Sequence, residues 1–548
     1  MLLVANRRTG SVSVVDPKAA RVIAEVPVGK SLSDLAALTG PNAGFFLAAD
    51  WASHQLRLLS FRDRALKVGN TLAIAPFPAT ICVDRSGKQC FVASLWSRQL
   101  SAVDIDRRPD GSLQLKLKKT IPLTFPPRQQ SLSPDGNMLV VAEAFGGHLA
   151  VVDVSRHKIQ TVQVMPGHNI RGLAWSLDGR RLLVAHQTLN RLAYSTAEDI
   201  HWGSVVSNVV RSLDRDALVS GAMDVLEHSQ LYQLGDVGNG AGDPSALAIA
   251  KDGTAFLALG GVGEVAAGHL EKAEMHRLHV GTRPTALALN RDGTELYAAD
   301  TFGDAIDVIK TKDLLAGNDK SIRRISLGPR PELSAADRGE RLFYDAHLSN
   351  ENWMSCNSCH SDGHSPDQLS DTLGDSSFGA PKRIPALGGV AQTGPWAWNG
   401  SMHDLGEQVQ KSVQTTMHAK AISPEQVRDL TEYLKTLNPP PPARPPTDAR
   451  QQMAVDKGRE IFKRQGCDRC HVPQTYTSPK TYDVGLKDEM GNHRFNPPSL
   501  RGVGQRAALF HDGRASSLSE VFQIHRHPGN KELPTDEVSD LVAYLRTL

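Results

Sequence analysis

Residues 1–330 of the chain repeat one short pattern, and this repetition restricts the folds that they can adopt. Apolar runs that end near a small residue recur as LLVAN (2–6), FFLAAD (45–50), FVASL (91–95), LVVAEA (139–144), LLVAHQ (182–187), FLALGG (256–261) and LYAAD (296–300). Most of them follow a turn that ends in glycine, as in DRSG (84–87), SPDG (133–136), SLDG (176–179), AKDG (250–253) and NRDG (290–293). Alternating apolar residues around such turns predict hairpins. Seven hairpins at a spacing of roughly forty residues predict a seven-bladed β-propeller, because each small sheet can bury its faces only against its neighbours.

These repeats also resemble those of a known family. The stretch VANRRTGSVSVVD (4–16) is similar to the repeat of the YVTN family of seven-bladed propellers. The resemblance covers about residues 1–330. It implies an all-β propeller in this region and says nothing about an activity, since one fold hosts many functions.

One interval departs from the rhythm of the repeats. The turn glycines Gly179 and Gly253 lie almost twice as far apart in the chain as Gly253 and Gly293 do. The excess lies in an insertion at about 193–243. Long insertions in a propeller are usually loops on one face, so we expect either a decorated loop or a docking element.

The same insertion contains oxygen-bearing side chains at Asp236, Asn239 and Asp243. Carboxylate and amide oxygens are ligands that Ca²⁺ prefers, but this spacing does not match a known calcium loop. A Ca²⁺ site here is therefore a secondary expectation.

Cys82 and Cys90 flank the turn DRSG symmetrically. We expect them to face each other across a hairpin, where a disulfide is feasible if the two residues are directly opposed. Two buried free thiols are the equally weighted alternative.

Length, charge and hydropathy exclude several classes of protein. A chain of 548 residues is too long for one core and predicts two to four domains. Its formal net charge is +2, and lysine and arginine form no stripe, so no nucleic-acid partner is expected. No apolar run is long enough to cross a bilayer, so we expect no transmembrane segment.

The C-terminal half carries the motif C-x-x-C-H twice, as Cys356-x-x-Cys359-His360 and Cys467-x-x-Cys470-His471. This is the attachment signature of c-type haem, in which two cysteines anchor the porphyrin and the histidine ligates iron. A single C-x-x-C would be ambiguous with zinc or dithiol sites. Two copies with the trailing histidine predict two covalently bound c-type haems.

The sequence around the two motifs is duplicated. PALGGVAQTGPWAWNGSMHDLGEQV (385–409) aligns without gaps with PSLRGVGQRAALFHDGRASSLSEVF (498–522), so the two stretches are related by one constant offset. DRGERLF (337–343) and LTEYLKTL (430–437) correspond to DKGREIF (456–462) and LVAYLRTL (541–548). We predict two mostly α-helical cytochrome c-like modules, at 333–437 and 449–548, with a proline-rich linker at 438–448 acting as a semi-rigid spacer.

With these motifs, the region 333–548 resembles the bacterial di-haem cytochrome c peroxidase and MauG family. RLFYDAHLSNENWMSCNSCHSDG (341–363) and WNGSMHDLGEQV (398–409) look like its first-haem segments, and FHDGRASSLSEVF (510–522) looks like part of its second. The resemblance implies that one haem is the open site for hydrogen peroxide and that the other relays electrons.

The second module can supply a second axial ligand to its iron. After HDGRASS, its helix offers His525 and His527, where the constant offset places Ser412 and Gln414 in the first module. The resemblance implies a methionine at the position of His525, so histidine there would lower the haem potential. We expect His525 to be the ligand, with His527 as the first alternative and Met490 and His493 as further ones.

In the first module, His364, Met417 and His418 could close the iron site. If it stays open, cleavage of peroxide needs a group that moves a proton between the oxygens. The resemblance implies this role for Glu407, and His403 is a second acid–base candidate. Trp398 and Trp396 could line the pocket or carry electrons between the haems, although packing is the commoner role for tryptophan.

These features predict a periplasmic or extracellular di-haem oxidoreductase that reduces hydrogen peroxide or uses it to oxidise a partner. The partner would be a small electron-donor protein or another redox protein, with the propeller as a docking domain or scaffold. Two alternatives stay open. Both irons could be six-coordinate in a pure electron-transfer protein, or the propeller could be a dehydrogenase that passes electrons to the haems.

Overall fold

The computed structural model describes residues 1–272, 274–319, 322–329, 332–374, 376–529 and 532–548. The chain divides into two compact units. The propeller unit comprises residues 1–188, 208–234 and 243–331, and the helical unit comprises residues 189–207, 235–242 and 332–548.

Seven antiparallel sheets make up the propeller unit, and the strands of each sheet follow the order of the chain. The first three sheets contain β1 (Leu2–Asn6), β2 (Ser11–Asp16) and β3 (Arg21–Pro27); β4 (Leu32–Ala37), β5 (Phe45–Asp50), β6 (Gln55–Arg62) and β7 (Ala65–Ala73); and β8 (Pro78–Val83), β9 (Gln89–Ser94), β10 (Gln99–Arg107) and β11 (Leu113–Pro122). The next two contain β12 (Pro127–Leu132), β13 (Met138–Glu143), β14 (His148–Asp153) and β15 (Lys158–Val164); and β16 (His168–Trp175), β17 (Arg181–Leu189), β18 (Val206–Asp214) and β19 (Gln230–Gln233). The last two contain β20 (Pro244–Ile249), β21 (Ala255–Leu259), β22 (Glu264–His269) and β23 (Glu274–His279); and β24 (Pro284–Leu289), β25 (Glu295–Asp300), β26 (Ala305–Lys310) and β27 (Arg323–Ser326).

The prediction of a seven-bladed propeller is confirmed, and each of the seven apolar runs overlaps one strand, from β1 to β25 in steps of four. The turns form as expected. In SPDG, for example, the Ser133 hydroxyl donates to Asp135, whose carboxylate also accepts the main-chain N–H of Asn137. Gly136 closes this turn at φ +76°, a left-handed conformation that favours glycine. The aspartate therefore caps the hairpin and the glycine reverses the chain.

The first and last sheets pack against each other and close the ring. Val15 of β2 is fully buried in one cluster with Ile306 and Val308 of β26 and Ile325 of β27. Closure leaves no face of a terminal sheet without an apolar neighbour, which is why the repeats are stable only as a set.

Cys82 and Cys90 do not face each other. Cys82 pairs with Phe91 across the hairpin, and Cys90 pairs with Val83. Because neighbouring residues of a strand point to opposite faces, this register places the two thiols on opposite sides of the sheet. Both are free cysteines. The expectation that they are opposed was wrong by one residue, and the alternative of two free thiols is correct.

The insertion at about 193–243 is not one continuous loop. It includes β18 and β19 of the fifth sheet. The segments on either side of these strands, residues 189–207 and 235–242, belong to the helical unit, and we call them together the strap. Short helices also occur in this half of the chain: α1 (Ala197–His201) in the strap, α2 (Arg215–Val219) and α3 (Thr311–Leu315).

The helical unit contains two modules with matching helices. They are α4 (Ala335–Phe343), α5 (Cys356–Cys359), α6 (Leu405–Lys411) and α7 (Pro424–Thr436), then α8 (Ala449–Arg464), α9 (Leu518–Gln523) and α10 (Thr535–Leu545). Two short hairpins accompany them, β28 (Leu369–Ser370) with β29 (Lys382–Arg383) and β30 (Tyr482–Asp483) with β31 (Arg494–Phe495).

In each module the first helix crosses the last at a glycine. A Cβ atom on Gly339 would collide with the carbonyl of Asp429, and one on Gly458 would collide with that of Asp540. The duplicated glycine therefore permits the close approach of α4 to α7 and of α8 to α10.

The proline-rich segment 438–448 is packed against both modules and is not a free spacer. Its Pro440 ring lies against Gly502, and the Pro441 carbonyl accepts from Gln505 Nε2 at 3.3 Å. In the first module, Gly389 approaches the Pro439 ring. The linker thus helps to fix the modules relative to each other.

Among the described residues, no helix is long and apolar enough to span a membrane.

A buried histidine in the fifth sheet makes the propeller sensitive to acid. His186 is fully buried, its Nδ1 donates to the Gln187 carbonyl at 3.0 Å, and burial lowers its pKa to about 3 from 6.5. Between these two pH values the unfolded chain binds a proton that the folded propeller does not. The contribution of His186 to the free energy of unfolding is therefore fully present above pH 6.5 and is lost progressively as the pH decreases toward 3.

We expect the free energy of unfolding to decrease with a slope of at most about 1.4 kcal/mol per pH unit from this residue. Denaturant unfolding of wild type and His186→Gln at several pH values measures the slope difference, which removes contributions from other groups. The exposed His228→Gln is the control. An unchanged slope in His186→Gln would contradict this assignment.

Candidate functional site

Both C-x-x-C-H motifs fold into the same local geometry. The main-chain N–H of His360 donates to the Cys356 carbonyl at 2.8 Å, and that of His471 donates to the Cys467 carbonyl at 2.9 Å. This single turn brings the histidine back over its two cysteines. The four cysteines are half-buried, and Cys356 and Cys359 pack against the apolar core of the first module, as Cys467 does in the second.

The two histidines present one ring nitrogen for a ligand. His360 Nδ1 donates to the Pro385 carbonyl at 2.9 Å, and His471 Nδ1 donates to the Tyr476 carbonyl at 3.0 Å. Burial lowers the pKa of each imidazole to about 4. A neutral ring with its proton on Nδ1 has a lone pair on Nε2, which is the state that ligates iron. The residues of both modules therefore fit a c-type haem.

The two modules meet through a reciprocal pair of main-chain hydrogen bonds. Arg383 N–H donates to the His511 carbonyl at 2.6 Å, and Asn496 N–H donates to the Trp398 carbonyl at 2.8 Å. Both donors and both acceptors are related by the constant offset of the duplicated sequence, so the modules face each other across an approximate twofold axis.

Trp398 lies at this axis beside its own repeat counterpart, His511. The two ring centroids are 6.3 Å apart, and Trp398 Nε1 donates to the Arg383 carbonyl at 2.8 Å. The guanidinium of Arg383 lies 5.4 Å from the indole centroid and is paired with Asp367 at 3.2 Å. Trp396 packs against the core of the first module, and its Nε1 donates to the Val390 carbonyl at 3.0 Å. His511 was missed in the sequence, although the offset already matched it to Trp398.

His511 is buried against Phe495 and Trp398. It is 2% exposed and stacks on Phe495 with 4.2 Å between centroids. Burial lowers the pKa of its imidazole, so this aromatic contact between the modules is uncharged at neutral pH.

The candidates for a second axial ligand of the second module are in different environments. Nδ1 of His527 is buried without a hydrogen-bond partner among the described residues. Burial, together with a smaller contribution from the nearby His471, lowers the pKa of His527 to about 4. By contrast, His525 Nε2 lies 3.3 Å from the Arg514 carbonyl. Of the two remaining candidates, His493 pairs with Asp483 and Met490 is 55% exposed.

In the first module, His364 and Met417 are 4% and 5% exposed. Met417 belongs to the core against which Cys356 and Cys359 pack. His418 Nε2 lies 2.8 Å from the carbonyl of Ser195, a residue of the strap. The structure thus leaves His364 and Met417 inside the module and engages His418 elsewhere.

Helix α6 separates the predicted acid–base residues from the core. Its buried face carries Leu405 and Val409, whereas Glu407 is exposed on the opposite face. His403 is also exposed. Gln408 lies at the edge of the buried face, where its Oε1 is buried and has no partner in the portion of the chain that the structure describes. Sequence reasoning missed Gln408, because an amide gives no signal of proton transfer.

The structure does not support the calcium site expected at Asp236, Asn239 and Asp243. Asp236 and Asn239 form a tight turn through their main-chain groups, and Asp243 pairs with Arg283 at 3.5 Å. Within the part of the chain that the structure describes, no group of three or more His, Cys, Asp or Glu residues could hold a metal ion.

Part of the helical unit is similar in sequence to known proteins. Residues 334–440 match the family model described as di-haem cytochrome c peroxidase. A cytochrome c551 peroxidase from Pseudomonas aeruginosa is 23% identical over 266 residues, covering 38% of this chain and 77% of that protein. A cytochrome c551 peroxidase from Nitrosomonas europaea is 25% identical over 265 residues, covering 39% and 79%. The methylamine utilization protein MauG of Methylorubrum extorquens is 24% identical over 271 residues, covering 38% and 76%.

The contrast between His527 and His525 generates a test on the haem-loaded protein. If His527 faces the second iron, His527→Ala should convert that haem from low-spin to high-spin, because a strong-field imidazole is lost. The matched variant His525→Ala should keep the low-spin spectrum. Visible absorption and electron paramagnetic resonance (EPR) spectra measure the change, and the reverse pattern would assign the ligand to His525.

Proposed function

Because residues 334–440 match the model of the di-haem cytochrome c peroxidase family, we propose that this chain is a di-haem oxidoreductase that reduces hydrogen peroxide or uses it to oxidise a partner protein. The observation that carries the proposal is the asymmetry of two otherwise duplicated modules. The second has a half-buried histidine, His527, whose Nδ1 is buried and whose pKa is lowered by burial and by His471, whereas the first has Gln414 at the repeat position of His527.

Each haem, when bound through its two cysteines, would supply a redox-active iron held by His360 or His471. In this proposal the first module holds the reactive haem, and the second holds the relay haem with two imidazole ligands. The main-chain acceptors Pro385 and Tyr476 keep the proximal rings oriented and neutral.

Trp398 and His511 supply the contact through which electrons would pass between the modules. Both are aromatic, and they lie side by side at the approximate twofold axis. The buried Arg383–Asp367 pair holds the indole in place and excludes water from the contact, since Arg383 is 2% exposed. These groups position the pathway, and none of them needs to exchange a proton.

On the reactive side, we propose that Gln408 orients the incoming peroxide. Its Nε2 donates to Ser412 Oγ at 3.0 Å, which fixes the amide, and its buried Oε1 can accept a hydrogen bond from the substrate. Glu407 and His403, the residues expected from the sequence, would have to act from exposed positions.

The partner in this proposal is a small electron-donor or redox protein, and the propeller serves as a docking domain or scaffold. Because c-type haems are attached outside the cytoplasm, we propose the bacterial periplasm or cell exterior as the location.

The proposal is tested by EPR and visible spectra of the fully oxidised and half-reduced protein. We expect a high-spin ferric signal in at least one state, removed by cyanide, together with peroxide turnover, because an open iron position is required for peroxide to bind. If both haems stay low-spin in both states and do not respond to cyanide or peroxide, the chain is an electron carrier and the peroxidase proposal fails.

A second experiment decides between the two polar candidates on α6. We expect Gln408→Leu to lower peroxide turnover by at least about tenfold, since a preorganised hydrogen bond to the reacting oxygen is lost. Glu407→Gln, its neighbour and matched control, should retain turnover within about threefold because its side chain is exposed. Steady-state kinetics with each holoprotein measure the effect. A large loss in Glu407→Gln alone would restore the catalytic role expected from the sequence.

A further inference from the structure

The strap is part of the core of the first module. Ala193, Ile200, Val205 and Val206 are buried in one cluster with residues of α4, α6 and α7. Trp353, three residues before Cys356, is 3% exposed and packs against Gly203, Gly235 and Gly240. The first haem module is therefore composite, with a wall contributed by residues that lie more than a hundred positions earlier in the chain.

Polar contacts fasten the strap to the same module. Gly240 N–H donates to the Glu351 carbonyl at 2.7 Å, and Gly242 N–H donates to that of Asn352 at 3.1 Å. His201 Nδ1 lies 2.7 Å from Glu351 Oε2. These bonds hold both segments of the strap against the loop that leads into the haem-attachment motif.

Ser195 is the residue of the strap that meets a candidate haem ligand. Its carbonyl oxygen lies 2.8 Å from His418 Nε2, so the imidazole donates its proton there. Ser195 is itself fixed, because its N–H donates to the Asp371 carbonyl at 3.1 Å. Next to it, the Tyr194 ring stacks on Phe378 with 4.8 Å between centroids.

The hydrogen bond from His418 to Ser195 matters because of where His418 lies in the first module. His418 follows Met417, which is buried in the core against which Cys356 and Cys359 pack. The Met417 carbonyl accepts from Asn350 N–H at 2.8 Å, and His418 adopts φ +52°. A ring nitrogen that donates to a carbonyl has no lone pair for iron, so the strap withholds Nε2 of a histidine placed beside the haem-attachment region.

We propose that the strap is a latch, in which the Ser195 carbonyl holds His418 away from the first iron and thereby keeps its second axial position open. This inference rests on the proposed function, which requires an open first haem. It assigns to an insertion of the propeller a direct role in the coordination state of the reactive haem.

The test loosens the latch in the full-length, haem-loaded protein without deleting it. Tyr194→Ala removes the ring that stacks on Phe378, and His201→Ala removes the ion pair with Glu351. Both side chains are partly exposed, at 43% and 41%, so neither change creates a large cavity. Leu192→Ala, at a side chain of the strap that is 79% exposed, is the matched control.

We expect Tyr194→Ala and His201→Ala to convert a measurable share of the high-spin first haem to low-spin, because His418 is released and binds. Adding His418→Ala to either variant should restore the high-spin signal. The low-spin signal of the second haem should not change, which shows that the variants remain folded. Leu192→Ala should match wild type.

Two results overturn the latch alone while the proposed function stands. In one, wild type has an open first haem and the loosened variants keep the full high-spin signal. In the other, they become low-spin and remain so after His418→Ala. A wild-type first haem that is low-spin in both redox states overturns the proposed function and the latch together.

Discussion

Two hydrogen bonds between main-chain atoms, from Arg383 to His511 and from Asn496 to Trp398, fix the arrangement on which the helical unit depends. Because main-chain groups make them, they place no constraint on the side chains at these four positions. Duplication of a module preserves such an interface automatically, since each residue meets the counterpart of its partner. The side chains at the axis are then free to diverge. Here they have become an indole and an imidazole, in contact with each other.

The sequence was sufficient to predict those structures that are determined by residues close together in the chain. Period-two apolar runs with capped turns specify the strands, and C-x-x-C-H with its adjacent helices specifies each module, because neighbouring residues alone decide these structures. The register between paired strands was harder to predict. The symmetric placement of Cys82 and Cys90 around a turn suggested direct opposition, and a shift of one residue moved them to opposite faces.

Long-range features could not be read from the sequence. The strap has no periodicity that distinguishes it from a surface loop, and its apolar residues Ile200 and Val205 are buried in a cluster completed by residues more than a hundred positions away. Similarly, the motif around Glu407 pointed to helix α6 but not to which residues of that helix face the core. Neighbours on a helix point about a hundred degrees apart, so a motif that locates α6 does not by itself say whether Glu407 or Gln408 points inward.

The strap also affects the order in which this protein can fold. Synthesis proceeds from the N-terminus, so the strap leaves the ribosome well before α4 and α7, the helices that bury it. A completed propeller would therefore display Ile200 and Val205 to solvent until the first module follows, and exposed apolar segments of that kind favour aggregation. Burial of the strap thus depends on a part of the chain that is synthesised later. A chain truncated after residue 331 would retain every propeller strand and yet carry an apolar surface that nothing in it can cover.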